Sequence, residues 1–212
     1  GYSSAASDVY KRQGEDGETH QGVFDVSMFR SVPDITVYSP SSYEGLKHAM
    51  QQALYSESKL VAVRYPRGAQ RAIPESIKPT FEDFDVFGDE KAEKAIVTYG
   101  RTFSACAFAY EKLLKAGESV KLIKLNRIIP VCEGAVEAAK TCKDVYFFEE
   151  GIRRGGAGEG FLFDLSKAGF GGKYHLRAIE NGFVKQASVE SLLHEYGFDE
   201  EGVLSFIASA ED

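Results

Sequence analysis

Short apolar runs alternate with helical repeats along most of this chain, and that alternation constrains its fold more than any other feature. Ile35-Thr-Val-Tyr38 reads as a short strand. Pro40-Ser41 follows, with Glu44 three residues after Ser41. That is the spacing of a capping box, in which the hydroxyl accepts the Glu44 amide and the carboxylate reaches back. Leu46, Ala49, Met50, Ala53 and Leu54 then recur at helical spacing and predict a helix over 42–56. Leu60-Val-Ala-Val63 is a continuous apolar run, as in a strand buried on both faces of a parallel sheet. Strand, helix and strand make one parallel βαβ unit.

A second block of the same kind begins near Lys94. Ala95-Ile-Val-Thr-Tyr99 predicts a strand ended by Gly100, and Thr102 is placed to cap a helix that stops at Gly117. A strand over 120–125, a turn at Pro130 and a helix over 133–141 follow. Val145-Tyr-Phe-Phe148 predicts a third strand, and Gly155-Gly-Ala-Gly158 opens the next helix. A strand over 174–179 and helices over 188–195 and 200–208 close the chain. The pattern predicts an α/β fold with a largely parallel sheet covered by helices.

Two stretches break the alternation. Residues 69–92 contain Pro74 and Pro79 and crowd Glu82, Asp83, Asp85, Asp89 and Glu90 together, which reads as an interdomain linker with at most a short hairpin. Residues 1–13 show no helical or strand period, and Asp8-Val-Tyr-Lys-Arg-Gln13 resembles a translated sequencing adapter. They are set aside as a non-native leader.

Bulk properties narrow the function. The 212 residues carry a net charge of −7, which argues against a nucleic-acid footprint. No apolar run is long enough for a membrane-spanning helix, so no membrane partner is expected. Cys106, Cys132 and Cys142 form no C-x-x-C pair and no metal framework. Such a sparse, odd set suits a reducing, cytoplasmic setting.

Two segments carry chemistry. Asp16 and His20 lie on a loop interrupted by Gly14, Gly17 and Gly22. Imidazole can shuttle a hydroxyl proton and a carboxylate can hold a second hydroxyl. No second His or Cys stands near enough for a zinc motif. Arg67 follows an apolar strand, with Pro66 fixing the backbone before it and Gly68 letting the chain turn away. A guanidinium there suits a phosphate. On the residues alone, a polar loop histidine and an arginine at a strand end are the plain alternatives. The run from Glu149 to Gly160 has the strand–glycine–helix order of an anion site. It lacks a dinucleotide or phosphate-loop register. It is read as structural, its glycines serving helix–strand packing and Arg153 and Arg154 a subunit contact. His48, His175 and His194 read as structural positions.

At these residues a family resemblance emerges. Asp16-Gly-Glu-Thr-His-Gln-Gly22-Val-Phe-Asp25, Ser27-Met-Phe-Arg30, Arg64-Tyr-Pro-Arg-Gly68, Glu149-Glu-Gly151 and Gly155-Gly-Ala-Gly158 resemble the 1-deoxy-D-xylulose-5-phosphate synthases. These form a branch of the transketolase-like, thiamine-diphosphate-dependent enzymes. The resemblance covers residues 14–208. It implies that 14–68 is the end of a pyrimidine-binding domain, a βαβ remnant, and 93–212 a transketolase C-terminal domain, with 69–92 between them. It also implies a homodimer. The implied reaction condenses pyruvate with glyceraldehyde 3-phosphate and releases carbon dioxide, for isoprenoid, thiamine and pyridoxal precursors. Asp16 and His20 would meet substrate hydroxyls and move a proton, and Arg67 would bind the aldehyde's phosphate. Thiamine diphosphate and Mg2+ would be required. Their Gly-Asp-Gly motif, the asparagine ligand and the cofactor-activating glutamate are not found here, so the chain alone is expected to be inactive. Two further readings stay open: the C-terminal subunit of another transketolase-like carboligase, and a non-catalytic dimerisation module.

Overall fold

The computed structural model describes residues 4–10, 21–55, 60–66, 68–180 and 182–210. Two sheets organise them. The first has the order β1 (Ser4–Tyr10), β3 (Leu60–Pro66), β2 (Ile35–Tyr38), β7 (Arg127–Ile129). The second has the order β4 (Phe84–Phe87), β6 (Val120–Leu125), β5 (Lys94–Tyr99), β8 (Asp144–Ile152), β9 (Lys173–Ile179). All pairings are parallel except β2 with β7 and β4 with β6. The helices are α1 (Asp25–Phe29, after a 3-10 turn at Gly22–Phe24), α2 (Tyr43–Tyr55), α3 (Thr102–Lys115), α4 (Glu133–Lys140), α5 (Ala157–Lys167), α6 (Val189–Glu195) and α7 (Glu200–Ser209). Among the described residues no helix is long and apolar enough to cross a membrane.

The second sheet is buried on both faces, which is why its strands read as unbroken apolar runs. Ala95, Val97, Ile123, Val145 and Phe147 point to one side, against Ala135, Val136 and Ala139 of α4 and Phe161 and Leu165 of α5. Ile96, Leu122, Tyr146 and Phe148 point to the other, against Phe103, Ala107 and Tyr110 of α3 and Val203 and Ile207 of α7. The period-2 alternation of strand side chains sorts them into these two layers. In the first sheet Ala49 and Ala53 of α2 pack on Val61 and Val63 of β3.

The two parts share a core. Val26, Ile35, Val37 and Ala62 belong to the same apolar cluster as Val97, Ile123 and Phe147. β7, from the C-terminal part, completes the first sheet by pairing Ile129 with Val37 and Arg127 with Tyr38. The sequence reading missed β7, because three residues before a proline carry no period.

Several expectations are corrected. The 69–92 segment is packed, not a free linker. Ile77 is buried against the α3 and α7 layer. β4 pairs antiparallel with β6 instead of forming a local hairpin. Asp85, one of the acids crowded in that segment, is buried. It accepts from Thr80 N (2.7 Å), Thr80 Oγ1 (2.6 Å) and Asn126 Nδ2 (3.2 Å), and lies 3.6 Å from Lys124 Nζ. Burial pushes the Lys124 ammonium down to about 8, and Asp85 counters part of that. Asp83 pairs with Arg127 at 2.7 Å. Acidity there marks counter-ions for buried or half-buried cations.

The leader set aside at 1–13 supplies β1, in register from Ser4 opposite Leu60 to Tyr10 opposite Pro66. A parallel edge strand needs only backbone groups to pair, so no side-chain period announces it. The α2 cap is Ser42, whose Oγ accepts from Gly45 N at 3.0 Å, one residue beyond Ser41. Thr102 does not cap α3: its hydroxyl donates back to Tyr99 O at 2.8 Å. The α3 stop is as expected, with Gly117 at φ +84 and Glu118 N bonded to Leu113 O.

Candidate functional site

Asp16, His20 and Arg67 lie outside the described residues. The residues on either side of them meet at the carboxyl end of β3, the end at which open α/β sheets bind ligands. Before the glycine-rich loop, Tyr10 stands opposite Pro66. After it, Gln21 is held by the main chain of Val184: its Oε1 accepts from Val184 N at 2.9 Å and its Nε2 donates to Val184 O. Phe24 meets Phe183 edge-on at 5.2 Å between ring centroids. Gly22 O accepts from Arg64 Nη2 at 3.0 Å. Past β3, Gly68 takes φ +109, a conformation that favours glycine, as its place after the strand suggested. A groove of about 290 Å³ opens there, lined by Pro40, Tyr43, Leu46, Tyr65, Gly68 and Gln70.

Behind this surface is a buried polar cluster that joins the two sheets. Arg64 Nε lies 3.5 Å from Asp25 Oδ2, both side chains nearly inaccessible. The Arg64 guanidinium also lies over the Tyr99 ring, 5.9 Å from its centroid. Tyr99 donates its hydroxyl to Glu149 Oε2 at 3.0 Å. Glu149, fully buried, takes two more donors from the start of α5: Ala157 N to Oε2 and Gly158 N to Oε1, each at 2.9 Å. Beside it Arg101 grips Glu150 with two bonds, of 2.8 and 3.2 Å.

The start of α5 does offer its amides as such a site would, and the acceptor that fills it is the chain's own Glu149 carboxyl. Burial pushes its carboxyl up to about 7, against the pull of Gly158 N–H, the Tyr99 hydroxyl, Ala157 N–H and the Arg64 charge. The glycines are there for space. A Cβ on Gly156 would sit 2.5 Å from Glu149 Oε1, and one on Gly158 would sit 2.4 Å from Leu176 Cδ1. Arg153 is engaged within its own chain, with Glu180 at 2.9 Å and Leu176 O at 3.1 Å. Sealed from solvent, Glu149 cannot touch a substrate. It fixes the seam between the two sheets.

The remaining sequence candidates are structural, as read. His175 bonds Asp144 and stacks on Tyr146, His194 bonds Asp199, and His48 lies near Gln52 on an exposed face. The thiols are free, and burial pushes Cys106 up to about 12, as befits an inert core residue. Among the described residues no three His, Cys, Asp or Glu side chains group to hold a metal ion.

Comparison with known proteins places the class. The model of the transketolase pyrimidine-binding domain matches residues 12–72, and that of the transketolase C-terminal domain matches residues 88–203. The chain belongs to the transketolase-like, thiamine-diphosphate-binding family. Its α/β architecture is a pyrimidine-binding-like region followed by a C-terminal mixed-sheet domain. Within that family it is similar to curated 1-deoxy-D-xylulose-5-phosphate synthases. It is 29% identical to that of Shouchella clausii (strain KSM-K16) over 199 residues, 92% of this chain and 32% of the relative. It is 32% identical to that of Geobacillus thermodenitrificans (strain NG80-2) over 193 residues, 87% of this chain and 30% of the relative. The chain thus spans about a third of the length of these relatives. Among solved structures, a chain described as "Split gene transketolase, inactive beta4 tetramer" matches with a TM-score of 0.80 at 21% identity, over 97% of this chain and 65% of that one. The transketolase of Campylobacter jejuni subsp. jejuni NCTC 11168 matches with a TM-score of 0.77 at 18% identity, over 97% of this chain and 31% of that one. At such identities these two show the fold alone.

Proposed function

We propose that this chain is the acceptor-aldehyde part of a 1-deoxy-D-xylulose-5-phosphate synthase, the cytoplasmic enzyme that condenses pyruvate with glyceraldehyde 3-phosphate and releases carbon dioxide. The product would serve isoprenoid, thiamine and pyridoxal precursor synthesis. The observation that carries this reading is the similarity to synthases along some nine-tenths of the chain, beside the T-H-Q-G and Y-P-R-G segments of its sequence. In this reading Arg67 holds the aldehyde's phosphate with its planar fork. Asp16 accepts from a substrate hydroxyl, and His20 donates or removes the proton at the reacting oxygen. Gln21 and Gly22, the residues that follow His20, are tied to Val184 and Arg64.

Thiamine diphosphate, when bound with Mg2+, supplies the carbanion chemistry. The described residues offer no metal-ligand cluster, so no step through the cofactor is derived for this chain. The groups that hold the diphosphate and Mg2+ would come from another segment or chain, and the active form would be a homodimer. The 212-residue chain by itself is expected to turn over neither substrate. Saturable micromolar binding of thiamine diphosphate with Mg2+ to the isolated chain would contradict this division of labour.

Kinetics test the site. In an enzyme that carries this segment together with its diphosphate-binding part, His20→Ala lowers kcat and Arg67→Ala raises the KM for glyceraldehyde 3-phosphate. Unchanged constants in both variants would leave only an assembly role. A second reading, a separate C-terminal subunit of a transketolase-like carboligase, draws support from the fold match to the split-gene transketolase chain. Under that reading, activity with a transketolase donor sugar appears on mixing with a separate N-terminal subunit, and pyruvate is not decarboxylated.

A further inference from the structure

A cleft of about 370 Å³ lies along β9 and shares Arg153 and Phe183 with the surroundings already described. It falls in the range of about 300–1,000 Å³ typical of small-molecule sites. β9 is the last strand of its sheet, so its outer edge has no strand partner among the described residues. Arg177, half-buried, projects to the side where α7 packs. Its guanidinium stacks on Phe206, 4.5 Å from the ring centroid. It lies beside Gly197, just past the last turn of α6, where a Cβ would stand 3.5 Å from Arg177 Cζ, an ordinary packing distance.

The charge of Arg177 is not answered by a carboxylate among the described residues. Its Nε is buried and makes no hydrogen bond. A half-buried guanidinium held in this way is costly unless an anion meets it. The carbonyl end of α6 offsets part of that cost. The other charged groups on the cleft are one bonded pair and one exposed carboxylate. Arg153 and Glu180 bond to each other, and Glu195 is exposed at the end of α6. Phe183, 62% exposed, and Tyr196 supply aromatic walls.

We propose that this cleft binds a small phosphomonoester with an aromatic body, Arg177 taking the phosphate and the walls of Phe183 and Tyr196 taking the ring. A planar fork stacked on one face is pre-organised for bidentate contact with a tetrahedral oxyanion. Arg153 stands on the same cleft with its charge met by Glu180, so Arg177 is the cation left for the phosphate.

The test is a titration of the 212-residue chain with phenyl phosphate, followed by NMR. Saturation is expected in the millimolar range or tighter, with shifts of the Arg177 Nε–H and the Phe206 ring resonances. Inorganic phosphate should bind more weakly, and benzyl alcohol should not move the Nε–H. Arg177→Met keeps the stacked methylenes and removes the charge. It should weaken phenyl phosphate about tenfold or more, the cost of a lost charge-assisted contact. Absence of saturation, an unmoved Nε–H, or equal affinity for phosphate and phenyl phosphate would overturn the proposal. The Nε–H readout decides it even if the variant does not fold.

Discussion

Glu149 should write a pH dependence into the stability of this chain. Its carboxyl stands at the ordinary 4.5 when unfolded and at about 7 in the fold, raised chiefly by burial. A raised value means that the fold favours the protonated acid. The contribution is therefore whole below 4.5 and is lost as pH rises through 7. Between about pH 5.5 and about pH 8, ionisation stabilises the unfolded chain more than the folded one, and the difference comes to about 2 kcal/mol. Glu149→Gln cannot ionise. It also presents an NH2 to donors that expect an oxygen, so it starts with a deficit of about 1–3 kcal/mol at the acid end. The expected outcome is a wild-type advantage that shrinks by about 2 kcal/mol across that pH window. Urea unfolding at the two pH values measures it, with equal m-values as the control. The chain has no tryptophan, so far-UV circular dichroism is the signal. A gap that stays constant with pH would refute the reasoning. It would mean that Tyr99, the α5 amides and Arg64 together outweigh burial and keep Glu149 in one protonation state.

Other consequences are as direct. Gly158→Ala puts a methyl 2.4 Å from Leu176 Cδ1 and 2.9 Å from Glu149 Oε1, and should cost about 1–3 kcal/mol in thermal unfolding. A neutral result would show that the seam has slack. Asp85→Ala leaves the buried Lys124 ammonium without its carboxylate and should cost about 3 kcal/mol or more. Lys124→Met should cost less, because Asp85 keeps its donors from Thr80 and Asn126. The reverse order in chemical denaturation would mean that the ammonium is shed rather than paired. Limited proteolysis should spare Phe84–Phe87, which is hydrogen-bonded into the second sheet, although composition alone marks that stretch as the place to cut. A first nick inside it would show that the pairing does not persist in solution.

Each long element was legible because its own residues carry its period. Leu46, Ala49 and Ala53 announce α2, the apolar runs announce β5, β6 and β8, and Gly117 announces the end of α3. Asp16, His20 and Arg67 are proposed as substrate residues from motif alone, through residue type and spacing. Illegible were the pairings made across long separations. Asp85 looks like any linker acid until Lys124, thirty-nine positions later, is seen to need it. Glu149 looks like the strand end before an empty anion site until its own carboxylate is found filling the start of α5. The sequence by itself determined the α/β class, the order of the helices and the inner strands, and the family, because these rest on local periodicity and contiguous motifs. Tertiary structure decided that the two parts form one body. It recruited β7 and β4 across the boundary and sealed Arg64, Tyr99 and Glu149 between the sheets. Burial changes the cost of a charge, and only the folded chain says which charges are buried together.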